Sequence, residues 1–401
     1  LIGFIVTTRN QEYDVVIVGG GMTGATLAIA LAQLKPTAKP WRIALIEAKI
    51  PQQHSQSGFD GRAIALSAGS IEALQSLKLW AEWQSAAHAI RHIHVSENGH
   101  AGRVTMAAEE FQLAALGYVL ELSVAGQQLY RTLPTYLNIT HYCPSQLISF
   151  TQSEDWVTLT LSSGEQLTTR LLVSAEGAHS LIQQQLNLPV EQYDFSQTAM
   201  ITSLVVDEPV CGRAWERFTA NGPLALLPLG ENTYSVVWCQ SPEQANENMR
   251  LDEVDFIHRL QQMFGFRAGR FMQCGARALY PLSLRYLPQI THHRVVLLGN
   301  AAHQLHPVAG QGFNLAMRDI MTLRAILQHA VDPGAYSVLQ QYRQQREGDM
   351  QRTIGLTSSL ATLFAEPAFP LVVTRQVGLM LMNHIPCLKN GLVQQALGHK
   401  S

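Results

Sequence analysis

The stretch Asp14-Val-Val-Ile-Val-Gly-Gly-Gly-Met-Thr-Gly24 constrains this chain more than any other. Val15 to Val18 form an apolar, β-branched run, the pattern of a strand buried on both faces. Gly19, Gly21 and Gly24 follow with G-x-G-x-x-G spacing, and Ala25 to Leu34 read as a helix. Each glycine has a physical task. Gly19 turns the chain off the strand, Gly21 lets backbone approach a pyrophosphate, and Gly24 brings helix against strand. The helix start then aims its N–H groups and positive dipole end at the anion. Three glycines alone are a weak signal, because glycines also gather in ordinary turns. Here a second strand, Arg42 to Ile46, ends at Glu47. That is about 20 residues on, where a dinucleotide site needs a carboxylate for the adenosine ribose hydroxyls. The unit reads as a dinucleotide-binding βαβ, and the fold class as α/β.

With 401 residues, 47% of them hydrophobic, the chain can bury a large core and hold two or three domains. A net charge of -2 with no basic stripe argues against nucleic acid as a partner. The five cysteines are scattered and odd in number, with no C-x-x-C, which suggests a reducing compartment and free thiols. Leu1 to Val6 is too short for a signal peptide or a membrane span, so residues 1–12 read as a lead-in. No run reaches about 18 apolar residues, so no transmembrane helix is expected and a cytoplasmic location is.

Further along, Pro51 to Gly58 reads as a polar loop, and Ser67 as the cap of a helix running through Leu77. Arg62, just ahead of that helix, has two open readings: a cofactor phosphate or flavin-edge contact, or a surface arginine. Ile90 to Val95 resembles one strand, and Val124 to Leu133 a helix. Strands around Gln146–Phe150, Trp156–Leu161 and Gln166–Val173 follow, with a hairpin at Gly164. The last ends in Ser174-Ala-Glu-Gly-Ala-His-Ser180, a second strand-to-helix junction. From Thr198 to about Tyr280 the texture is antiparallel β with one helix, Leu251–Phe264, suited to walling an apolar pocket. Arg294 to Leu298 is another buried strand. It feeds the glycine-rich Gly299 to Asn314 and a helix from Leu315 to about His329, whose positive end would suit negative charge on a ring. His303 and His306 stand at i, i+3, but Pro307 breaks the run and no carboxylate or cysteine is near, so no metal is expected. Helices are expected from Pro333 through Arg352 and in the apolar tail, Leu356 to Gly398. The reading divides the chain into a discontinuous dinucleotide-binding domain (13–190 and 275–345, with part of the substrate layer near 90–120), a β-rich substrate domain (191–274) and a C-terminal helical region (346–401).

Three motifs, Asp14–Gly24 with Glu47, Ser174–Ser180 and Gly299–Asp319, resemble the three fingerprints of class A flavoprotein monooxygenases, the para-hydroxybenzoate hydroxylase fold. The resemblance covers nearly the whole chain. Asp60–Ser67, Gly299–Ala302 and His306–Asp319 are similar to the ubiquinone-biosynthesis hydroxylases, and within them to the 2-polyprenyl-6-methoxyphenol hydroxylase group. Trp215–Thr219, Gly222–Pro228 and Val237–Cys239 support that assignment. The resemblance implies a Rossmann-like FAD-binding domain with an inserted β-rich substrate domain. It implies FAD, NADH or NADPH as reductant, O2 as co-substrate, and a prenylated phenol hydroxylated through a C4a-hydroperoxyflavin. Gly19, Gly21 and Gly24 would lie on the pyrophosphate, Glu47 on the ribose and Arg62 near the flavin or pyrophosphate. Gly310, Gln311, Gly312, Phe313 and Asn314 would border the isoalloxazine ring.

Two departures stand out. The middle fingerprint, usually Gly-Ala-Asp-Gly with a later arginine, is Ser174-Ala-Glu-Gly177 here, with Gln183 at the arginine. Glu176 keeps the charge at the pyrophosphate side. Asn300 replaces the acid of the third fingerprint; an amide still accepts from a ribitol or ribose hydroxyl, so FAD binding is expected to survive. No catalytic side chain is nominated, because the cofactor carries the chemistry. The apolar tail suggests peripheral contact at the inner face of a membrane, or a place in a multi-enzyme biosynthetic complex; homo-oligomers are compatible. The rival readings are another ring-position hydroxylase, a non-hydroxylating flavin reductase and a non-catalytic subunit of such a complex.

Overall fold

The computed structural model describes residues 11–35, 39–50, 62–306 and 310–365, with side chains through 359. The first ten residues of the lead-in, the polar loop after Pro51 and the apolar tail from 366 lie outside the described residues. Around the first fingerprint stands an eight-stranded sheet. Its strands are β1 (Gln11–Val18), β2 (Ile43–Ile46), β8 (Ile139–Tyr142), β9 (Leu147–Gln152), β10 (Val157–Leu161), β11 (Gln166–Ser174), β18 (Thr291–His292) and β19 (Val295–Leu297). The run β19-β11-β1-β2-β8 is parallel throughout. Val15, Val16 and Ile17 expose nothing to solvent. A strand paired on both edges and covered on both faces has no position for a polar side chain, which is why the sequence reads as an unbroken apolar run. The covering helices include α1 (Met22–Ala32), α4 (Leu122–Thr132), α8 (Gln311–Leu327) and α9 (Tyr336–Ala365), with α1 packed on α4 and α8, and α8 on α9.

A nine-stranded sheet forms the second layer. It holds β5 (His92–Glu97), β6 (Arg103–Ala107), β12 (Glu191–Val206), β13 (Arg213–Thr219), β14 (Gly222–Pro228), β15 (Thr233–Gln240), β16 (Phe271–Cys274), β17 (Ala278–Tyr286) and β20 (His303–Gln304). Alternation gives it two apolar faces. Leu224, Leu226, Val236 and Trp238 pack outward on Phe256, Leu260 and Phe264 of α7 (Glu253–Phe264), which follows α6 (Pro242–Arg250). Ala214 and Phe218 point the other way, toward a three-stranded sheet of β3 (Ala63–Ser67), β7 (Gly117–Glu121) and β4 (His88–Ile90). Short helices α2 (Ala68–Ser76), α3 (Trp80–Trp83) and α5 (Leu181–Gln185) complete the set.

The α/β class with an inserted β-rich layer is as expected, and several local expectations change. Ile90–Val95 is not one strand. The chain swaps sheets at Arg91, where the amides of Arg91 and His92 both donate to the Gly212 carbonyl at 2.8 and 3.1 Å. The return to the parallel sheet also falls later than residue 275, because β17 pairs with β12 along its length and only β18 rejoins β19. α6 is an addition; Ser241 caps it and Pro242 opens it, a start signal present in the sequence. α1 and α8 begin at Met22 and Gln311, earlier than their apolar periodicity suggested, because glycine N-caps start them. α9 starts at Tyr336, after Pro333, and runs past Arg352 to Ala365.

Candidate functional site

The three glycine-bearing turns meet at one end of the parallel sheet. Gly19 sits at φ +101°, and a Cβ there would lie 2.4 Å from the Ala175 carbonyl oxygen. A Cβ on Gly24 would lie 1.8 Å from the Gly19 carbonyl oxygen, and one on Gly299 (φ +58°) 2.8 Å from Thr23. The first fingerprint therefore touches both the second and the third. Gly21 differs: among the described residues a Cβ there would meet nothing within 4 Å, and it is the N-cap of α1 with no capping side chain. Two of the three glycines are required by packing, and the third leaves room in front of a helix start. Glu47 closes the turn. One carboxylate oxygen accepts from the Gly20 amide at 2.6 Å and the other from the Lys49 amide at 2.9 Å, and each oxygen has a further lone pair for a hydroxyl. The Tyr130 hydroxyl, unforeseen in the sequence, donates to the Gly20 carbonyl at 3.0 Å.

A second glycine-started helix, α8, packs on α1. Gly310 adopts the left-handed conformation (φ 60°) as N-cap of α8, again with no capping side chain, and its missing Cβ would lie 3.0 Å from the Ala65 Cβ. α2, α5, α6 and α7 are each capped by a Ser or Asp side chain, whereas α3 and α4 begin without one but at Leu79 and Glu121 rather than at glycine. Among the described residues, a Cβ on Gly312 would meet nothing within 4 Å. Asn314, expected at the ring, uses its amide differently. Its oxygen accepts from the Ser67 amide (2.9 Å) and the Ser70 hydroxyl (2.7 Å). Its nitrogen donates to the carbonyls of Ala65 (2.9 Å) and Gly310 (2.8 Å). It is a pin between β3 and α8, with Gln311 also buried and Phe313 half-buried beside it.

The departures from the family pattern resolve unequally. Asn300 is exposed beside Gly299, open to a ligand hydroxyl. Glu176 turns inward: one oxygen accepts from the hydroxyls of Ser174 (3.2 Å) and Ser180 (2.7 Å) and from the Ile182 amide (3.3 Å). That carboxylate oxygen organises its own turn and the start of α5. Gln183 is buried, donating to the Leu188 carbonyl and accepting from Arg285 of β17 at 2.8 Å. An arginine thus reaches this corner from another strand, which no spacing in the sequence announces. Arg62 stacks over the Tyr280 ring at 5.0 Å. The two histidines serve different elements: His303 meets Asp319 at 2.6 Å, and His306 meets Gln197 at 3.0 Å. Burial pulls the His306 ring down to about 4, so it is neutral at physiological pH.

Behind the third turn lies a buried charge cluster. Asp319 accepts from Arg346 (2.7 Å), from the Gly299 amide (3.2 Å) and from the His303 ring (2.6 Å). Burial alone would raise its carboxyl; the His303 and Arg346 charges reverse that and hold it well below the carboxylate range. Asp349 extends the cluster to Arg318 and Arg346.

Two helix starts with glycine N-caps and an acid at the end of the second strand suit a dinucleotide. A family model described as an FAD binding domain matches residues 12–356. The chain belongs to this family. It is a family of FAD-dependent monooxygenases and hydroxylases. The chain is 32% identical to the 3-demethoxyubiquinol 3-hydroxylase of Escherichia coli, over 97% of this chain and 99% of that one. It is 30% identical to the ubiquinone hydroxylase UbiL of Rhodospirillum rubrum, over 99% and 92%. The p-nitrophenol 4-monooxygenase PnpA of Pseudomonas putida shares the fold, with a TM-score of 0.78, 18% identity and coverage of 98% and 100%. Among the described residues, no helix is long and apolar enough to cross a membrane.

Proposed function

We propose that this protein hydroxylates the aromatic ring of a polyprenylated ubiquinone precursor, converting 2-polyprenyl-6-methoxyphenol to 2-polyprenyl-6-methoxy-1,4-benzoquinol with NADH or NADPH and O2. The observation that carries the reading is the pairing of two glycine-started helix N-termini with the apolar face of the nine-stranded sheet. It is supported by likeness along almost the whole chain to hydroxylases of ubiquinone intermediates. Bound FAD supplies the redox and oxygen-transfer chemistry. The chain's own residues do the rest. Gly19, Gly21 and Gly24 admit the pyrophosphate to the α1 N-terminus, with Glu47 on the ribose. Asn300 takes a ribitol or ribose hydroxyl, and Arg62 lies toward the flavin side. Gly310, Gln311 and Gly312 aim the start of α8 at the ring, with Phe313 alongside, and a positive helix end there stabilises negative charge. Asn314 holds that turn to β3. Ala199, Ala225 and Val237 offer an apolar wall from which water is excluded.

The likeness to the 3-demethoxyubiquinol 3-hydroxylase favours a second reading, hydroxylation at a neighbouring ring carbon. Peripheral membrane contact or docking in a multi-enzyme complex, through the tail beyond Glu366, belongs to the same proposal; liposome flotation of the full chain against a chain ended at Pro367 tests it. The function itself is tested by anaerobic flavin bleaching with each reductant, with and without a short-chain 2-prenyl-6-methoxyphenol, followed by product analysis under labelled O2. Phenol-accelerated bleaching and one labelled oxygen in a 1,4-benzoquinol are expected. Labelled product with the oxygen at another carbon selects the second reading, and bleaching with no labelled product overturns both.

A further inference from the structure

The inner face of the nine-stranded sheet carries one ionisable carboxylate in an otherwise apolar row. Register places Glu216 of β13 opposite Ala225 of β14, Ala225 opposite Val237 of β15, and Val237 opposite Ile201 of β12. On its other side Glu216 stands opposite Val95 of β5. Cross-strand partners project from the same face, so these side chains share a surface. The row beside it contains Phe218, Pro223, Cys239, Ala199 and Tyr280. Tyr280 is the ring under Arg62. Ala214 and Phe218, the residues two before and two after Glu216, pack in one cluster with Ala65, the residue against which Gly310 abuts. Gln197, at the edge of the same face, holds His306 on the segment leading to α8. The carboxylate therefore lies on the wall that faces the α8 N-terminus.

Its setting is unusual for a glutamate. Among the described residues no side chain or amide donates a hydrogen bond to it, and no cation pairs with it. Burial alone pushes it up to about 7, yet part of its surface stays accessible. Its side chain is half-buried on the face that Ala214 and Phe218 turn toward β3. The titratable and charged groups on its face are Cys239, whose thiol burial pushes up, Glu97 of β5, which lies near His100, and Tyr280 with the Arg62 guanidinium over its ring. None of them pairs with the Glu216 carboxylate.

Resting on the phenol-hydroxylase reading, we propose that Glu216 is the base that takes the substrate's phenolic proton. The O–H bond breaks, the proton passes to a Glu216 carboxylate oxygen, and the electron pair stays on the phenolate, enriching the ring carbons that accept oxygen. A base matched to the working pH is worth about a hundredfold or more in rate.

The test compares wild type, Glu216→Gln and Glu216→Asp, each confirmed to hold FAD, on two short-chain prenylated phenols. One is the methoxyphenol; the other is a fluorinated analogue already ionised at the assay pH. The proposal expects product formation from the methoxyphenol to fall about a hundredfold in Glu216→Gln, with the acid limb near pH 7 abolished. It expects Glu216→Asp to keep that limb, and the ionised analogue to restore Glu216→Gln to within about tenfold of wild type. Equal loss on both phenols, or an unchanged pH profile in Glu216→Gln, overturns it. A wild type that makes no phenol product sinks the functional reading as well, so the two failures are told apart by the wild-type control.

Discussion

Replacing Asp319 with alanine tests whether the buried charge cluster holds the third turn. In the folded chain Asp319 and Arg346 are almost wholly buried, at 2% and 1% exposure. The substitution removes acceptors for Arg346, the His303 ring and the Gly299 amide at once. Breaking a buried pair by deleting one partner costs about 3–5 kcal/mol, because the remaining charge is left desolvated. Asp349 still accepts from Arg346, which places the expected loss near the lower end, about 3 kcal/mol. For a chain of this length each kcal/mol lowers Tm by about 2 °C, so a fall of about 6 °C is expected. The assay is a melt followed both by circular dichroism and by release of FAD fluorescence. Since Gly299 hangs from Asp319, FAD affinity should fall together with Tm. A pH series adds a sign. The Asp319 carboxyl is held low in the fold, so its contribution is present above the unfolded carboxylate range and is lost as pH falls through the depressed value. An Asp319→Ala protein with Tm within 2 °C of wild type and undiminished FAD affinity would refute the reasoning.

Three further outcomes are expected. Gly24→Ala should fail to fold or lose FAD entirely, since its Cβ would lie 1.8 Å from the Gly19 carbonyl oxygen; Gly21→Ala should keep wild-type circular dichroism and Tm while binding FAD at least tenfold more weakly, and equal damage by both would refute the division of roles. Asn314→Ala strands two donors and two acceptors, should cost about 3 kcal/mol, and should lower Tm in urea and heat alike; a loss below about 1 kcal/mol counts against the pin. His306 has a folded value near 4 against 6.5 unfolded, so stability is full above pH 6.5 and declines by roughly 3 kcal/mol as pH falls to 4; His306→Phe should flatten that part of the stability curve.

The first fingerprint was legible because backbone necessity writes itself into sequence. Gly19 and Gly24 are glycines for reasons of contact, and the strand before them is apolar because both its faces are covered. What was not legible depends on partners distant in the chain. The exchange of sheets at Arg91 is set by the Gly212 carbonyl, and nothing in Ile90–Val95 signals it. Asn314 reads as a ring neighbour because it follows the glycines, but two of its four hydrogen bonds tie it to β3, one to Ser70 of α2 and one to Gly310. Arg346, Asp319 and His303 are separated by 27 and 16 residues and converge only when α8 lies on α9. Glu216 was visible only as part of a family segment; its chemistry appears once register sets it among Val95, Ala225 and Val237.

The chain's repeated passage between sheets has a further consequence. It leaves the parallel sheet after β2, returns at β8, leaves again at β12, returns at β18 and crosses once more at β20. A hinge between flavin layer and substrate layer would have to flex every one of these connections together, so rigid-body opening is a costly route for admitting a long prenyl chain. Entry is then left to small movements of single turns and side chains. The same weave means that neither layer can be inherited or transplanted as a block. New substrates must be reached by changing individual strand residues on the shared wall, with the cofactor's cradle in place throughout.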